Sequence, residues 1–185
     1  MNEKTSDDKN CWLITGEPVI GKTTVLTKII KSLRFKGFSL GGMICQEIKN
    51  KRERIGFELL DVSSGERGIL ASKNLNTGPR FGRYRINLKD LAEIGAKALM
   101  HALNFSELII CDEIGPMELY SPDFRRAVDA IITSQKPVLG IIHKYHKDPF
   151  VLIIKSRPRV EIIEVTLENR EGLPEILTEK IASKL

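Results

Sequence analysis

The residues with the clearest capacity for chemistry are Gly16-Glu17-Pro18-Val19-Ile20-Gly21-Lys22-Thr23-Thr24. Their spacing, G-x-x-x-x-G-K-T, suits a loop that wraps a polyphosphate. Gly16 and Gly21 let the backbone bend until successive N–H groups face inward onto phosphate oxygens. Lys22 brings a point charge to the outer phosphates, and the Thr23 hydroxyl is placed to ligate Mg²⁺. A helix beginning here turns its N-terminus, with its unpaired N–H groups, toward the same anion.

A second constellation lies further along. Leu108-Ile109-Ile110-Cys111-Asp112-Glu113 is a continuous apolar run ending in two carboxylates. Such a run suits a parallel strand buried on both faces. A carboxylate at its carboxyl end falls where open α/β sheets bind ligands. Asp112 is therefore expected to hold Mg²⁺ through a water, opposite Thr23. Glu113 is expected to orient or deprotonate a water for in-line attack on a γ-phosphate. The plainer alternative for Glu113 is a charge pair with a nearby cation.

These residues need elements to position them. Cys11 to Thr15 is a short apolar run that reads as a buried strand feeding the first loop. After the loop, Val25, Leu26, Ile29, Ile30 and Leu33 recur at helical spacing until Gly37, a natural end signal. Phe38 to Ile48 reads as a strand with Gly41-Gly42 inside it, a bulge or a close backbone approach. Arg54 to Val62 and Gly68 to Ala71 read as further strands, an antiparallel insert after the first α/β unit. Ser72 to Arg83 is rich in breakers and reads as a loop holding Arg80 and Arg83. Tyr84 to Asn87 is a short strand and Leu88 to Asn104 a helix. Ser121-Pro122 and Asp148-Pro149 open helices with an N-cap and a proline at the first position. Pro137 to Ile142 and Val160 to Val165 are the remaining strands, and Leu173 to Lys184 is a last helix. Alternating strands and helices predict an α/β sheet with right-handed crossovers.

Several blocks together resemble the small P-loop nucleoside-triphosphatase family of archaea and bacteria, once described as kinase-like, which includes the cancer-related nucleoside-triphosphatase. They are the phosphate loop, Arg54-Ile55-Gly56-Phe57, Arg80-Phe81-Gly82-Arg83-Tyr84, Cys111-Asp112-Glu113-Ile114-Gly115-Pro116-Met117-Glu118-Leu119, and Val165-Thr166-Leu167-Glu168-Asn169-Arg170. The resemblance runs from about Cys11 to the C-terminal helix, and the Asp112-to-Leu119 block is its specific part. It implies a RecA-like, mostly parallel sheet flanked by helices, and Mg²⁺-dependent hydrolysis of ATP, GTP, CTP and UTP. It carries nucleotide-binding roles to Gly16 through Thr24 and to Leu108, Ile109, Ile110, Cys111, Asp112, Glu113, Ile114 and Gly115. Metal roles fall to Thr23 and Asp112, and catalytic roles to Glu113 and Lys22, with Arg80 as a candidate arginine on the γ-phosphate. Thr166, Asn169 and Arg170 are placed near the base; helix capping and a surface charge are the alternative. One departure stands out: Val19 occupies a position where the family loop carries glycine, and a β-branched residue resists positive φ.

Composition sets the frame. At 185 residues the chain suits one domain over residues 11–185, preceded by a polar, disordered tail over 1–10. No run approaches the ~18–20 apolar residues of a membrane-spanning helix, and no secretory signal is visible. Cys11, Cys45 and Cys111 lack metal-like spacing, and their odd number argues against a disulfide framework. A cytoplasmic monomer is expected. The net charge of +5 suits an anionic ligand, and the basic run Lys49 to Arg54 reads as a solvated hairpin turn. No interleaved aromatics support nucleic acid as a partner. The rivals to a hydrolase are a small-molecule kinase, with Arg80, Arg83 and Arg85 in a lid, and a non-catalytic nucleotide-dependent binding module. Neither requires a water-activating glutamate after the metal aspartate.

Overall fold

A computed structural model describes residues 9–51 and 53–185. Most of the expected N-terminal tail lies outside the described residues. Asn10, at its end, is anchored: its side chain donates to the Gln135 carbonyl and accepts from Arg159.

Among the described residues, nine strands form one sheet. In chain order they are β1 (Cys11–Thr15), β2 (Leu40–Asn50), β3 (Glu53–Asp61), β4 (Arg67–Ser72), β5 (Arg80–Phe81), β6 (Tyr84–Ile86), β7 (Leu108–Ile114), β8 (Val138–Ile142) and β9 (Val160–Glu164). Across the sheet they lie β5-β6-β4-β3-β2-β7-β8-β1-β9. The half from β2 to β9 is parallel throughout. From β2 outward the pairing is antiparallel. The expected antiparallel insert is thus an extension of the parallel sheet through the β2–β3 hairpin.

Helices cover both faces. α1 (Lys22–Phe35) and α6 (Leu173–Ala182) pack on one side. On the other lie α2 (Leu88–Asp90), a π-helical stretch over Leu91–Ala96, α3 (Lys97–Phe105) and α4 (Pro122–Thr133). The remaining helix, α5 (Pro149–Ser156), precedes β9. The strand sequences explain this layering. In β1, Cys11 and Leu13 enter one core while Trp12 and Ile14 enter the other, because successive side chains point to opposite faces. Ile109 and Cys111 of β7 divide from Leu108 and Ile110 in the same way. A continuous apolar run is what a strand covered on both faces requires, and each such side chain contributes about 1.5–3 kcal/mol.

Local signals act as their chemistry suggests. Ser121 Oγ accepts from the Phe124 N–H at 3.2 Å, and Pro122 begins α4. Asp148 accepts from the Phe150 N–H at 2.8 Å ahead of α5. Gly42 marks a close approach rather than a bulge: a Cβ there would stand 2.0 Å from the Ile110 carbonyl oxygen. The bulge in β2 falls between Ile48 and Lys49 instead. Two expectations change. The stretch expected to be loop up to Arg83 contains β5, because Gly82 takes a φ of 56° and lets Phe81 and Tyr84 pair across a two-residue turn. The helix expected over 88–104 begins where Asn87 Oδ1 accepts from the Asp90 N–H, then passes through the π-helical stretch. No helix among the described residues is long and apolar enough to cross a membrane.

Candidate active site

β1 ends at Thr15 and α1 begins at Lys22, so the glycine-bearing loop joins strand to helix in the order its chemistry needs. Gly16 has a φ of 147°, and a Cβ on it would stand 2.8 Å from the Val165 carbonyl oxygen. Gly21, the N-cap of α1, has a φ of 110° and a ψ of 18°. Both glycines are therefore required by the backbone path. Val19 sits at a φ of 65° with its side chain fully exposed. Lys22 folds back over its own loop, donating from Nζ to the carbonyl oxygens of Gly16 at 3.1 Å and Glu17 at 2.9 Å.

β8 separates β1 from β7 in the sheet, and the carboxyl ends of these parallel strands open on one side. There Asp112, Glu113, Lys22 and Thr23 line a single open cleft of about 720 Å³. Asp112 is only 3% exposed. Burial first, and the neighbouring Glu113 second, push its carboxyl up to about 7, opposed by a hydrogen bond from the Cys45 backbone and by Lys22. Burial also raises Glu113, against the pull of Lys22. The peptide bond between the two residues is cis.

A third carboxyl faces the same cleft. Glu118, in the single 3₁₀ turn after β7, is 3% exposed and is pushed well above the usual carboxylate range by burial and then by Glu113. It and Glu113 close on Gly115, whose Cβ, if present, would meet Glu113 Oε1 at 2.8 Å and Glu118 Oε2 at 3.0 Å. Among the described residues, none of these three carboxyls forms an ion pair within 4.0 Å.

The loop after β8 supplies the remaining wall. His143, Lys144 and Tyr145 line the cleft. Lys144 Nζ binds Glu17 Oε1 at 2.8 Å and Glu164 Oε1 at 2.6 Å, linking the phosphate loop to the end of β9. The Tyr145 hydroxyl donates to the same Glu17 oxygen. These partners hold Glu17 below the usual carboxylate range, the Lys144 bond foremost.

The other expected residues fall elsewhere. Pro18, Val19 and Thr24 line the cleft, whereas Glu17 and Ile20 belong to the loop without lining it. Leu108, Ile109, Ile110, Cys111 and Ile114 are fully buried and act through the position they give Asp112 and Glu113. Arg80 lies on the edge strand β5 and does not line the cleft. Arg54, from the run expected to be a solvated turn, does. Thr166 and Asn169 bond reciprocally, with Asn169 Oδ1 accepting from the Thr166 N–H at 2.9 Å, while Arg170 lies 3.6 Å from Glu171. That cluster follows β9 directly, where Val165 meets Gly16. Sequence reasoning passed over Arg54, Glu118 and Lys144 as site residues. Glu118 and Arg54 had a visible signal, since each lies in a block that carries the family resemblance.

The arrangement combines a phosphate-sized loop, the Thr23 hydroxyl and buried carboxyls that form no ion pair among the described residues. Hard oxygen donors of this kind suit Mg²⁺.

Known proteins resemble this chain in sequence and fold. The family described as NTPase matches residues 11–178. A nucleoside-triphosphatase THEP1 from Thermofilum pendens is 40% identical over 93% of this chain and 95% of its own length. One from Thermotoga petrophila is 45% identical over 87% of each. The crystal structure of THEP1 from Aquifex aeolicus superposes with a TM-score of 0.81 at 31% identity, covering 92% of this chain and 98% of that one. The solution structure of a human cancer-related nucleoside triphosphatase gives 0.77 at 31% identity, covering 95% and 98%. Matched by the family over residues 11–178 and by relatives 40–45% identical across most of its length, the chain belongs to the NTPase family.

Proposed function

We propose that this protein is a Mg²⁺-dependent nucleoside-triphosphatase that cleaves the β–γ bond of ATP, GTP, CTP and UTP. The observation that carries the reading is that the Gly16–Thr24 loop and the Asp112–Glu113 pair open onto one cleft. The loop N–H groups and Lys22 hold the β- and γ-phosphates once Lys22 exchanges its loop carbonyls for phosphate oxygens. Thr23 and Asp112 would hold Mg²⁺, which supplies charge neutralisation at the phosphates when bound. Glu113 orients a water and takes its proton as the water oxygen attacks phosphorus; the bridging P–O bond breaks and the nucleoside diphosphate leaves. Burial and the nearby Lys22 set the basicity of Glu113 in opposite directions. Thr166, Asn169 and Arg170 follow Val165, which meets Gly16 of the loop, and would lie on the base side of a bound nucleotide. One nine-stranded sheet runs through the described residues, which supports a single unit over 11–185. Three free thiols suit the reducing cytoplasm.

Glu113→Gln tests the reading. The amide keeps the shape of glutamate but accepts no proton at neutral pH. Single-turnover hydrolysis should fall about 10²–10⁴-fold, the range of a positioned general base. Equilibrium affinity for nucleotide and Mg²⁺ should hold, whereas Asp112→Asn should weaken both together. Hydrolysis by Glu113→Gln at the wild-type rate would remove the water-activating role and leave a kinase or a binding module.

A further inference from the structure

We propose that Arg54 supplies the guanidinium that contacts the γ-phosphoryl group during hydrolysis, the role the sequence pattern offered to Arg80. The inference rests on the hydrolase reading above.

Position is the first argument. Among the described residues, Arg54 is the arginine that lines the cleft with Lys22, Thr23, Asp112 and Glu113. Arg85 is on β6 and donates to the Gly78 carbonyl at 2.9 Å. Arg125 is clamped by Asp148 at 2.6 and 3.2 Å.

Orientation is the second. Arg54 Nε donates to the Tyr84 hydroxyl at 3.1 Å, and Nη1 donates to Glu47 Oε1 at 2.6 Å. Its guanidinium carbon stands 4.9 Å from the Phe57 ring centroid. Two hydrogen bonds and a ring contact hold the fork in place, while Nη2 has no hydrogen-bond partner among the described residues. Arg83 reinforces this from outside the cleft, donating to the same Tyr84 hydroxyl at 3.0 Å.

The third argument is that the fork is releasable. Glu47 also binds Lys49 Nζ through Oε2 at 3.0 Å. Arg54 can therefore turn Nη1 toward a phosphate without leaving Glu47 unpaired. A planar fork matches the spread of charge over the equatorial phosphoryl oxygens. It transfers no proton; that goes to Glu113, and Arg54 acts by its charge and the geometry of its fork.

The test uses the full chain as wild type, R54A, R54Q, R54K and R80A, with unfolding midpoints to confirm folding. Phosphate release from Mg·ATP is read in single turnover. Mg·ADP binding is read by calorimetry, alone and with aluminium fluoride, which mimics the transferring phosphoryl group. R54A and R54Q should slow hydrolysis about 10³-fold, the low end for a phosphoryl-contacting arginine. Mg·ADP affinity should stay at the wild-type value, and the tightening by aluminium fluoride should disappear. R54K should recover part of the rate, since it keeps the charge and loses the fork, and R80A should match wild type. A merely structural arginine would leave the aluminium fluoride effect intact in the folded R54Q. Wild-type hydrolysis by R54Q, or loss of rate in R80A with R54A unaffected, would overturn the assignment and leave the hydrolase reading standing. Wild-type protein that releases no phosphate from any triphosphate would overturn the hydrolase reading itself, and the Arg54 role with it.

Discussion

Lys22 Nζ lies 2.9 Å from the carbonyl oxygen of Glu17, five residues earlier in the same loop. The lysine charge is thus held over the loop by backbone acceptors, at the place where the outer phosphates would sit. Lys22→Ala removes a charge-assisted contact of about 1.5–3 kcal/mol, equivalent to about a 10- to 150-fold loss of nucleotide affinity. Unfolding in urea should change little, because the lost partners are carbonyls at the surface of the loop. Unchanged nucleotide affinity by calorimetry would place the binding site elsewhere.

Val19 offers a change in the opposite direction. Its φ of 65° is costly for a β-branched residue, and full exposure means that its side chain contributes no packing. Relief of strain at such a position is worth about 1–3 kcal/mol, against about 0.4–1 kcal/mol of extra chain entropy for glycine. Val19→Gly should therefore raise the unfolding midpoint of the ligand-free protein and leave nucleotide binding unchanged or tighter. A large loss of affinity would mean that the valine contacts the nucleotide productively.

The buried carboxyls predict a pH dependence for the protein free of metal and nucleotide. Asp112 has a folded-state value of about 7 against an ordinary 3.8, burial being the larger cause. A value raised on folding means that the native state binds the proton more tightly than the unfolded chain. The associated stability is complete below about pH 4 and is lost as pH rises toward and through about 7. Glu113 and Glu118 shift in the same direction, so they add to the loss. Thermal unfolding followed from pH 4 to 8 should show a falling midpoint, and Asp112→Asn should flatten it. A midpoint that rises over this window would contradict the raised value.

The parts of this protein written most openly in its sequence are those governed by local rules. Strand β7 announces itself because a run buried on both faces must be apolar at every position, as Leu108 to Cys111 are. The phosphate loop is equally open, since its glycines are demanded by backbone geometry at single positions. The caps of α4 and α5 follow from serine or aspartate ahead of proline. Less open was the course of the antiparallel edge. Register shifts between Ile48 and Lys49, and between Phe57 and Glu58, break the alternation that would otherwise assign each side chain to a face.

That break separates what the chain states alone from what the fold decides. By itself the sequence determined the α/β order, the loop that wraps phosphates and the carboxylates that answer it. Among the arginines the sequence pointed to Arg80, with Arg83 and Arg85 in the same stretch, and left Arg54 in a solvated turn, because charge and motif context do not say which one turns inward. Only the tertiary structure set Arg54 in the cleft and Arg80 on the edge strand. It likewise brought Lys144 to Glu17 across 127 residues and set Glu118 beside Glu113 around Gly115. Those placements depend on how β8 inserts between β1 and β7 and how the hairpin extends the sheet, both of which are decided by long-range pairing and burial.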